Sequence, residues 1–152
     1  MTLRIDYAKV APDVYKALIA THTALKRSGF DTHLMDLVFQ RVSQINGCAY
    51  CVDLHGRDLR AAGETPERLD GLAAWDESPY FTAREKAALA WAESVTHIAT
   101  SRAGDDVYAR MRAHFSERDA THLTLAIALM NALNRIAVAM RRAPAKKATS
   151  WS

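Results

Sequence analysis

Residues 34–55 read LMDLVFQRVSQINGCAYCVDLH, and the spacing of their apolar residues decides the fold. Leu34, Leu37, Val38, Val42 and Ile45 fall at offsets 0, 3, 4, 8 and 11, which puts them on one face of a helix starting at Asp31-Thr32. Asn46-Gly47 ends that helix. A second opens at Gly47 or Cys48 and stops at Ala62-Gly63, where a glycine can take the left-handed conformation that terminates helices. The same period continues outward in both directions. A helix is predicted from 12 to about 28, with Pro12 at its first position and Val14, Leu18 and Leu25 on one face. Thr65-Pro66 opens a short helix reaching about residue 75, and Thr82 with Glu85 has the spacing of a capping box opening a helix to about residue 99. Val107, Tyr108, Met111 and Phe115 mark another short helix. Ser116 caps the last, from 117 to about 142, whose apolar surface is broad enough to belong at the centre of a bundle or between subunits. No long run of alternating β-branched residues interrupts the pattern, so the expected fold is all-α, with about six to seven helices.

The 152 residues are enough for one compact domain that needs no disulfide staples. A composition of 49% hydrophobic and 24% charged residues excludes a disordered chain, a collagen-like repeat and a disulfide-rich secreted scaffold. Lysine and arginine exceed aspartate and glutamate by 20 to 17, but Arg141, Arg142, Lys146 and Lys147 crowd the last dozen residues. The rest of the chain is close to neutral, so the pI near 9.0 reflects a basic tail rather than a nucleic-acid-binding face. Residues 1–142 are expected to form one helical domain and 143–152 a disordered basic tail. The opening MTLRIDYAKVAPDVY has no apolar leader, which makes the cytoplasm the expected location. The stretch LTLAIALMNALNRIAVAM, residues 123–140, contains Asn131, Asn134 and Arg135, so it reads as a buried core helix and no membrane partner is expected. There is no phosphate-binding loop, nucleophile elbow or dinucleotide fingerprint, and no bound cofactor is expected.

One constellation carries chemistry. Cys48 and Cys51 form a C-x-x-C pair at the start of a helix, and His55 follows at offset 7 on the same face. The thiolate is the nucleophilic form of cysteine, and unpaired N–H groups with the helix dipole stabilise it in a first turn, an effect greatest at Cys48. His55, four residues after Cys51, can instead take the Cys51 proton directly or through water. Which sulfur attacks is open on these grounds. Two adjacent thiols in a reducing compartment point to a redox cycle, in which one becomes a sulfenic acid and the other condenses with it to a disulfide. A zinc site built from Cys48, Cys51, His55 and Asp36 or another histidine is disfavoured, because structural zinc usually draws two ligand pairs from separate segments. A thioredoxin-type pair would need a βαβ framework that this chain lacks. The simplest competing reading makes both cysteines buried hydrophobes and His55 a core residue.

The segment RVSQINGCAYCVDLH, residues 41–55, resembles the signature of the AhpD-like alkylhydroperoxidases in the carboxymuconolactone decarboxylase superfamily. AAGETPERL, LAAW, FTAREKAALAWAE and NALNRIAV look similar to the same family, so the resemblance runs through most of the chain from Leu34 onward. It implies an AhpD-like helical bundle assembling into trimers or hexamers, and paired thiols that reduce organic hydroperoxides. By the family's mechanism Cys51 attacks the peroxide, Cys48 is proton donor and disulfide partner, and His55 belongs to a proton relay. An external dithiol re-reduces the pair; in related systems lipoyl groups or a peroxiredoxin partner serve around the cycle. The family's relay also uses a glutamate twelve residues before the first cysteine, a position held here by Asp36. Aspartate is shorter by one C–C bond, about 1.5 Å of reach. The best-characterised members carry histidine between the cysteines, where this chain has Tyr50. A competing class is a non-catalytic helical assembly or redox-switch protein carrying the motif. The decarboxylase branch does not rely on a C-x-x-C pair.

His22, His33, His97, His114 and His122 show no spacing that groups two of them with a carboxylate, and each reads as surface or core. Trp75 and Trp91 fit helical apolar faces as core or interface anchors. Asn131 and Asn134, three apart in an apolar helix, need hydrogen bonds, and a network between subunits is one candidate. If Asp36 serves the relay, Asp36→Glu raises the rate of thiol oxidation by peroxide in stopped flow; equal second-order rates at one pH remove Asp36 from the mechanism.

Overall fold

A computed structural model describes residues 2–144, and among these every regular element is helical. The order is α1 (Tyr7–Val10), α2 (Pro12–Arg27), α3 (Thr32–Ile45), α4 (Ala49–Ala61), α5 (Pro66–Gly71) with a 3-10 turn (Leu72–Ala74), α6 (Ala83–Thr96), α7 (Ile98–Ser101), α8 (Asp105–Arg112) and α9 (Glu117–Ala139). The all-α expectation holds, with more helices than the six to seven expected because α1 and α7 are single turns without a periodic stripe of their own.

Side-chain caps appear where the sequence places them. Asp31 accepts from the Leu34 N–H, Thr65 from Arg68 and Ser116 from Asp119, and Thr82 with Glu85 forms the reciprocal capping box. Two helix ends differ from expectation. The helix opening at Thr82 stops at Thr96, and α7 follows as a separate turn closed by Arg102 in the left-handed region at φ 57°. Helix α9 ends at Ala139 rather than near 142 because Arg141 turns left-handed at φ 58°. The Arg141 and Arg142 N–H groups then close back on the carbonyls of Val138 and Ala137, at 3.1 and 2.9 Å. The basic tail expected from 143 onward lies, from residue 145, outside the described residues.

Helices α3 and α9 carry the core. Phe39, Met35 and Val38 of α3 pack with Leu123, Ile127 and Met130 of α9 and with Ala88, Trp91 and Ala92 of α6. A second cluster joins Leu37 to Leu59, Leu72, Trp75 and Leu89 on the other side of α3. Helix α9 is long and apolar enough to cross a membrane by length and composition, yet it packs against α2, α3, α4, α6 and α8 as a core helix. The stripe expected on α2 is only partly used: Leu25 is buried, whereas Val14 is 69% exposed. The helix is rotated so that Tyr15, Ile19 and His22 face inward toward α4 and α9 instead.

Buried amides lock α3 to α9. Asn46, the C-cap of α3, donates from Nδ2 to Asn131 Oδ1 (2.9 Å) and Asn134 Oδ1 (3.0 Å). Asn134 Nδ2 donates to Ser43 Oγ at 3.1 Å, and Asn131 Nδ2 to Thr96 Oγ1 at 3.1 Å. Arg135 Nη1 also reaches Asn131 Oδ1, at 2.7 Å. These partners all lie within one chain, so the amides are satisfied without the subunit interface considered for them. Asn134 is fully buried, and Asn134→Ala is expected to destabilise the fold by about 2–3 kcal/mol through lost hydrogen bonds and the space left behind. Urea unfolding checks this; a loss below about 0.5 kcal/mol, the range of an ordinary surface change, would show that the amides do not hold α3 to α9.

Candidate active site

The paired cysteines sit where α3 hands over to α4. Gly47, at φ 64°, makes the turn after Asn46 that a side chain would strain. Cys48 is the N-cap of α4 rather than part of its first turn, and its Sγ accepts the Cys51 N–H at 3.3 Å. The two sulfurs are bonded to each other across a Cα–Cα distance of 5.3 Å. Both cysteines are nearly inaccessible, at 1% and 4% exposure, and pack against Ala137 of α9.

They differ in what they face. Cys51 lines a cavity of about 80 Å³ together with His55, His22, Tyr15, Tyr50 and Met130, whereas Cys48 is not among its walls. On reduction, the N–H pointing at Cys48 Sγ favours its thiolate, while Cys51 is the sulfur a small molecule in the cavity can meet. The expected convergence of all three residues therefore splits: Cys51 and His55 share the cavity and Cys48 backs them.

His55 is 7% exposed, packs its ring 5.3 Å from Phe39, and has no hydrogen-bond partner at Nδ1 among the described residues. Burial lowers its pKa from the usual 6.5 to about 4, with Asp58 opposing the shift and Lys26, and any proton taken up by the neighbouring His22, adding to it. It is thus a neutral imidazole at pH 7, able to accept a proton, and a thiolate formed beside it would favour its charged form.

Asp36 lies on α3 with its carboxylate 3.9 Å from Lys26 Nζ. Burial raises its pKa, against the pull of Lys26 and with the repulsion of Asp58. Among the described residues it has no hydrogen bond to His55 or to either sulfur, and Lys26 and Asp58 are the charges it shares with His55. Among the described residues, no three of His, Cys, Asp and Glu converge as metal ligands. Trp75 and Trp91 are buried, their indole N–H groups bonded to Glu93 (2.7 Å) and Thr124 (2.9 Å).

The sequence reading missed the other half of the cavity. Tyr15, Ile19 and His22 fall at offsets 0, 4 and 7 on α2, a helical face less apolar than the one beside it. The tyrosine wall is tied together by Arg142, whose guanidinium stacks 4.4 Å over the Tyr50 ring and donates to Tyr7 Oη at 3.0 Å. Tyr7 in turn meets Tyr15 edge-on at 5.1 Å. Beyond Tyr7 and Tyr15 the cavity adjoins an open apolar groove of about 560 Å³ lined by Val14, Leu18, Ile136 and Met140.

The depressed His55 pKa has a stability consequence. Unfolded His55 binds its proton near pH 6.5 and folded His55 only near pH 4, so the unfolded state gains protons first as pH falls. Stability is therefore full above pH 6.5 and lost between 6.5 and 4, by up to about 3 kcal/mol from this one group. Urea midpoints measured across that window are expected to fall in the wild type and to flatten in His55→Phe; parallel curves would show that His55 is not buried neutral.

Comparison with known proteins agrees with this architecture. Residues 12–94 match the model of the carboxymuconolactone decarboxylase family. The uncharacterized protein YdfG of Bacillus subtilis is 38% identical over 147 residues, covering 97% of this chain and 100% of YdfG. A crystal structure from Agrobacterium tumefaciens, of a protein of unknown function given the antioxidant-defence designation AhpD, superposes with a TM-score of 0.93 at 38% identity, covering 96% of this chain and 100% of the other. The fold also matches the debrominase Bmp8, solved with 2,3,4-tribromopyrrole, with a TM-score of 0.78 at 21% identity over 92% of this chain and 74% of Bmp8. With more than half its length matched by the family model and a full-length relative at 38% identity, this chain belongs to the carboxymuconolactone decarboxylase family, with an AhpD-like fold and C-x-x-C pair.

Proposed function

We propose that the protein is a dithiol hydroperoxide reductase of the antioxidant type. The observation that carries this reading is the Cys51 sulfur, bonded to Cys48 and facing a small cavity beside a buried, neutral imidazole. In the reduced protein His55 takes the Cys51 proton. The thiolate attacks the terminal oxygen of a hydroperoxide, forming an S–O bond as the O–O bond breaks. The alkoxide leaves with a proton as an alcohol, and Cys51 is left as a sulfenic acid. Cys48 then attacks that sulfur, the S–S bond forms, and hydroxide leaves with the Cys48 proton as water. Two thiols and one peroxide thus yield a disulfide, an alcohol and water.

Asp36 serves as the proton store of the relay, since it feels the same two charges as His55, those of Lys26 and Asp58. An external dithiol, of lipoyl type or on a peroxiredoxin partner, returns the pair to the reduced state. The family resemblance supports a homo-oligomer, trimeric or hexameric, working in the cytoplasm.

Mixing the reduced protein with a hydroperoxide and counting thiols by mass spectrometry tests this. The expected result is loss of both thiols, with an apparent pKa for the reactive cysteine well below the ordinary value of about 8.5. Cys51→Ser abolishes the reaction, and Cys48→Ser arrests it at the sulfenic acid. Thiols that react no faster than free cysteine would overturn the proposal and leave a helical assembly or redox-switch protein.

A further inference from the structure

His22 is an imidazole in the cavity that the thiol chemistry above does not use. It projects from α2, whereas Cys51 and His55 project from α4, so it closes the cavity from the opposite side. Its ring lies against Phe39 at 5.6 Å between centroids, and His55 lies against the same ring at 5.3 Å. The two imidazoles thus contact the same aromatic ring, and both line the same cavity as Cys51.

The cavity is about 80 Å³, room for about two to three water-sized groups at roughly 30 Å³ each. That admits the –OOH end of a substrate but leaves its organic body outside, toward the groove beyond Tyr7 and Tyr15. A hydroperoxide entering in this way presents two oxygens to two sides of the cavity. The terminal one meets Cys51 on α4, and the one bonded to carbon meets α2.

We infer that His22 is a second proton-handling residue of this site, delivering the proton to the oxygen that leaves as the O–O bond breaks. The inference rests on the peroxidase reading above. A neutral imidazole has one N–H donor and one bare nitrogen acceptor. It can pass a proton to the alkoxide from one side while receiving on the other the proton that His55 took from Cys51. The proton of Cys51 ends on the alcohol, the sulfur keeps the terminal oxygen, and both imidazoles finish neutral. Burial and the neighbouring Lys26 lower the pKa of His22, with Asp58 opposing, so it starts in the neutral form this transfer needs. The charged or titratable groups around it are Lys26 and Tyr15 on its own helix, Tyr7 on α1, Asp58, His55 and Tyr50 on α4, and Asp36 on α3 paired with Lys26.

Leaving-group chemistry separates this role from a structural one. With tert-butyl hydroperoxide the departing alkoxide is strongly basic and needs a proton; with peracetic acid the departing acetate does not. Thiol loss in single turnover, followed by quenched flow for wild type, His22→Gln and His22→Asn, reads the difference. The proposal expects each variant to lose about 10²-fold with tert-butyl hydroperoxide, the size of a general-acid contribution, and less than about 3-fold with peracetic acid. Wild-type rates on both oxidants would overturn the role of His22 while leaving the peroxidase intact. Equal losses on both would make His22 structural and overturn it too. A wild type inert to both oxidants would overturn the peroxidase reading itself, and the role of His22 with it. The two variants differ in reach, so that one folded variant suffices for the comparison.

Discussion

Everything at the active site depends on the amide cluster that fastens the end of α3 to the middle of α9. Asn46 is two residues from Cys48 in the chain, and its side chain is held by Asn131 and Asn134 at 2.9 and 3.0 Å. Between them lies only Gly47. The position of the first sulfur is therefore set by buried hydrogen bonds rather than by the flexible packing of apolar side chains, and buried polar groups enforce one geometry because any other leaves them unsatisfied. The same cluster places Met130, Leu133 and Ala137 of α9 against the cavity, so the floor of the site and the turn that carries the thiols are fixed by one set of contacts.

Around that frame the protein keeps charge away from the cavity that Cys51 lines. The cavity walls are aromatic and aliphatic, and the titratable groups that reach it are imidazoles kept neutral by burial, together with phenols. Lys26 and Asp58 stand outside this layer and act on both imidazoles by their charge. A thiolate formed in such a place has few competing partners apart from the helix N-terminus and a proton held by histidine. Enclosure costs that charge its hydration, so it depends on these few interactions, each of which is stronger in such surroundings than in water.

Much of this was legible in the residues themselves. The helical period of 34–45, the caps at Asp31, Thr65, Thr82 and Ser116, and the C-x-x-C with His55 can all be read from local spacing, because each rests on contacts within a turn or two of helix. What could not be read was the choice of face on α2. Val14, Leu18 and Leu25 make the more apolar stripe, but the one facing the thiols includes Tyr15 and His22, whose partners lie far along the chain on α4 and α9. The asparagine pair, set in an apolar helix, shows its need for partners, and Asn46, their shared donor, is legible as the end of α3. Only the fold brings it within reach. The left-handed Arg141 was equally hidden, since nothing local marks an arginine as the end of a helix where glycine is the usual residue.

That turn at Arg141 carries a consequence for how the protein is made. Arg142 reaches back to Tyr7 and Tyr50, and the Arg4 N–H bonds the Met140 carbonyl at 2.9 Å, so the wall beside the thiols is stitched from both ends of the described chain. On the ribosome the two cysteines emerge long before α9 does, and at 5–20 residues per second that interval is several seconds. Throughout it the sulfurs have neither floor nor wall. Enclosure, and with it any discrimination among oxidants, is acquired only with the last turn of the last helix.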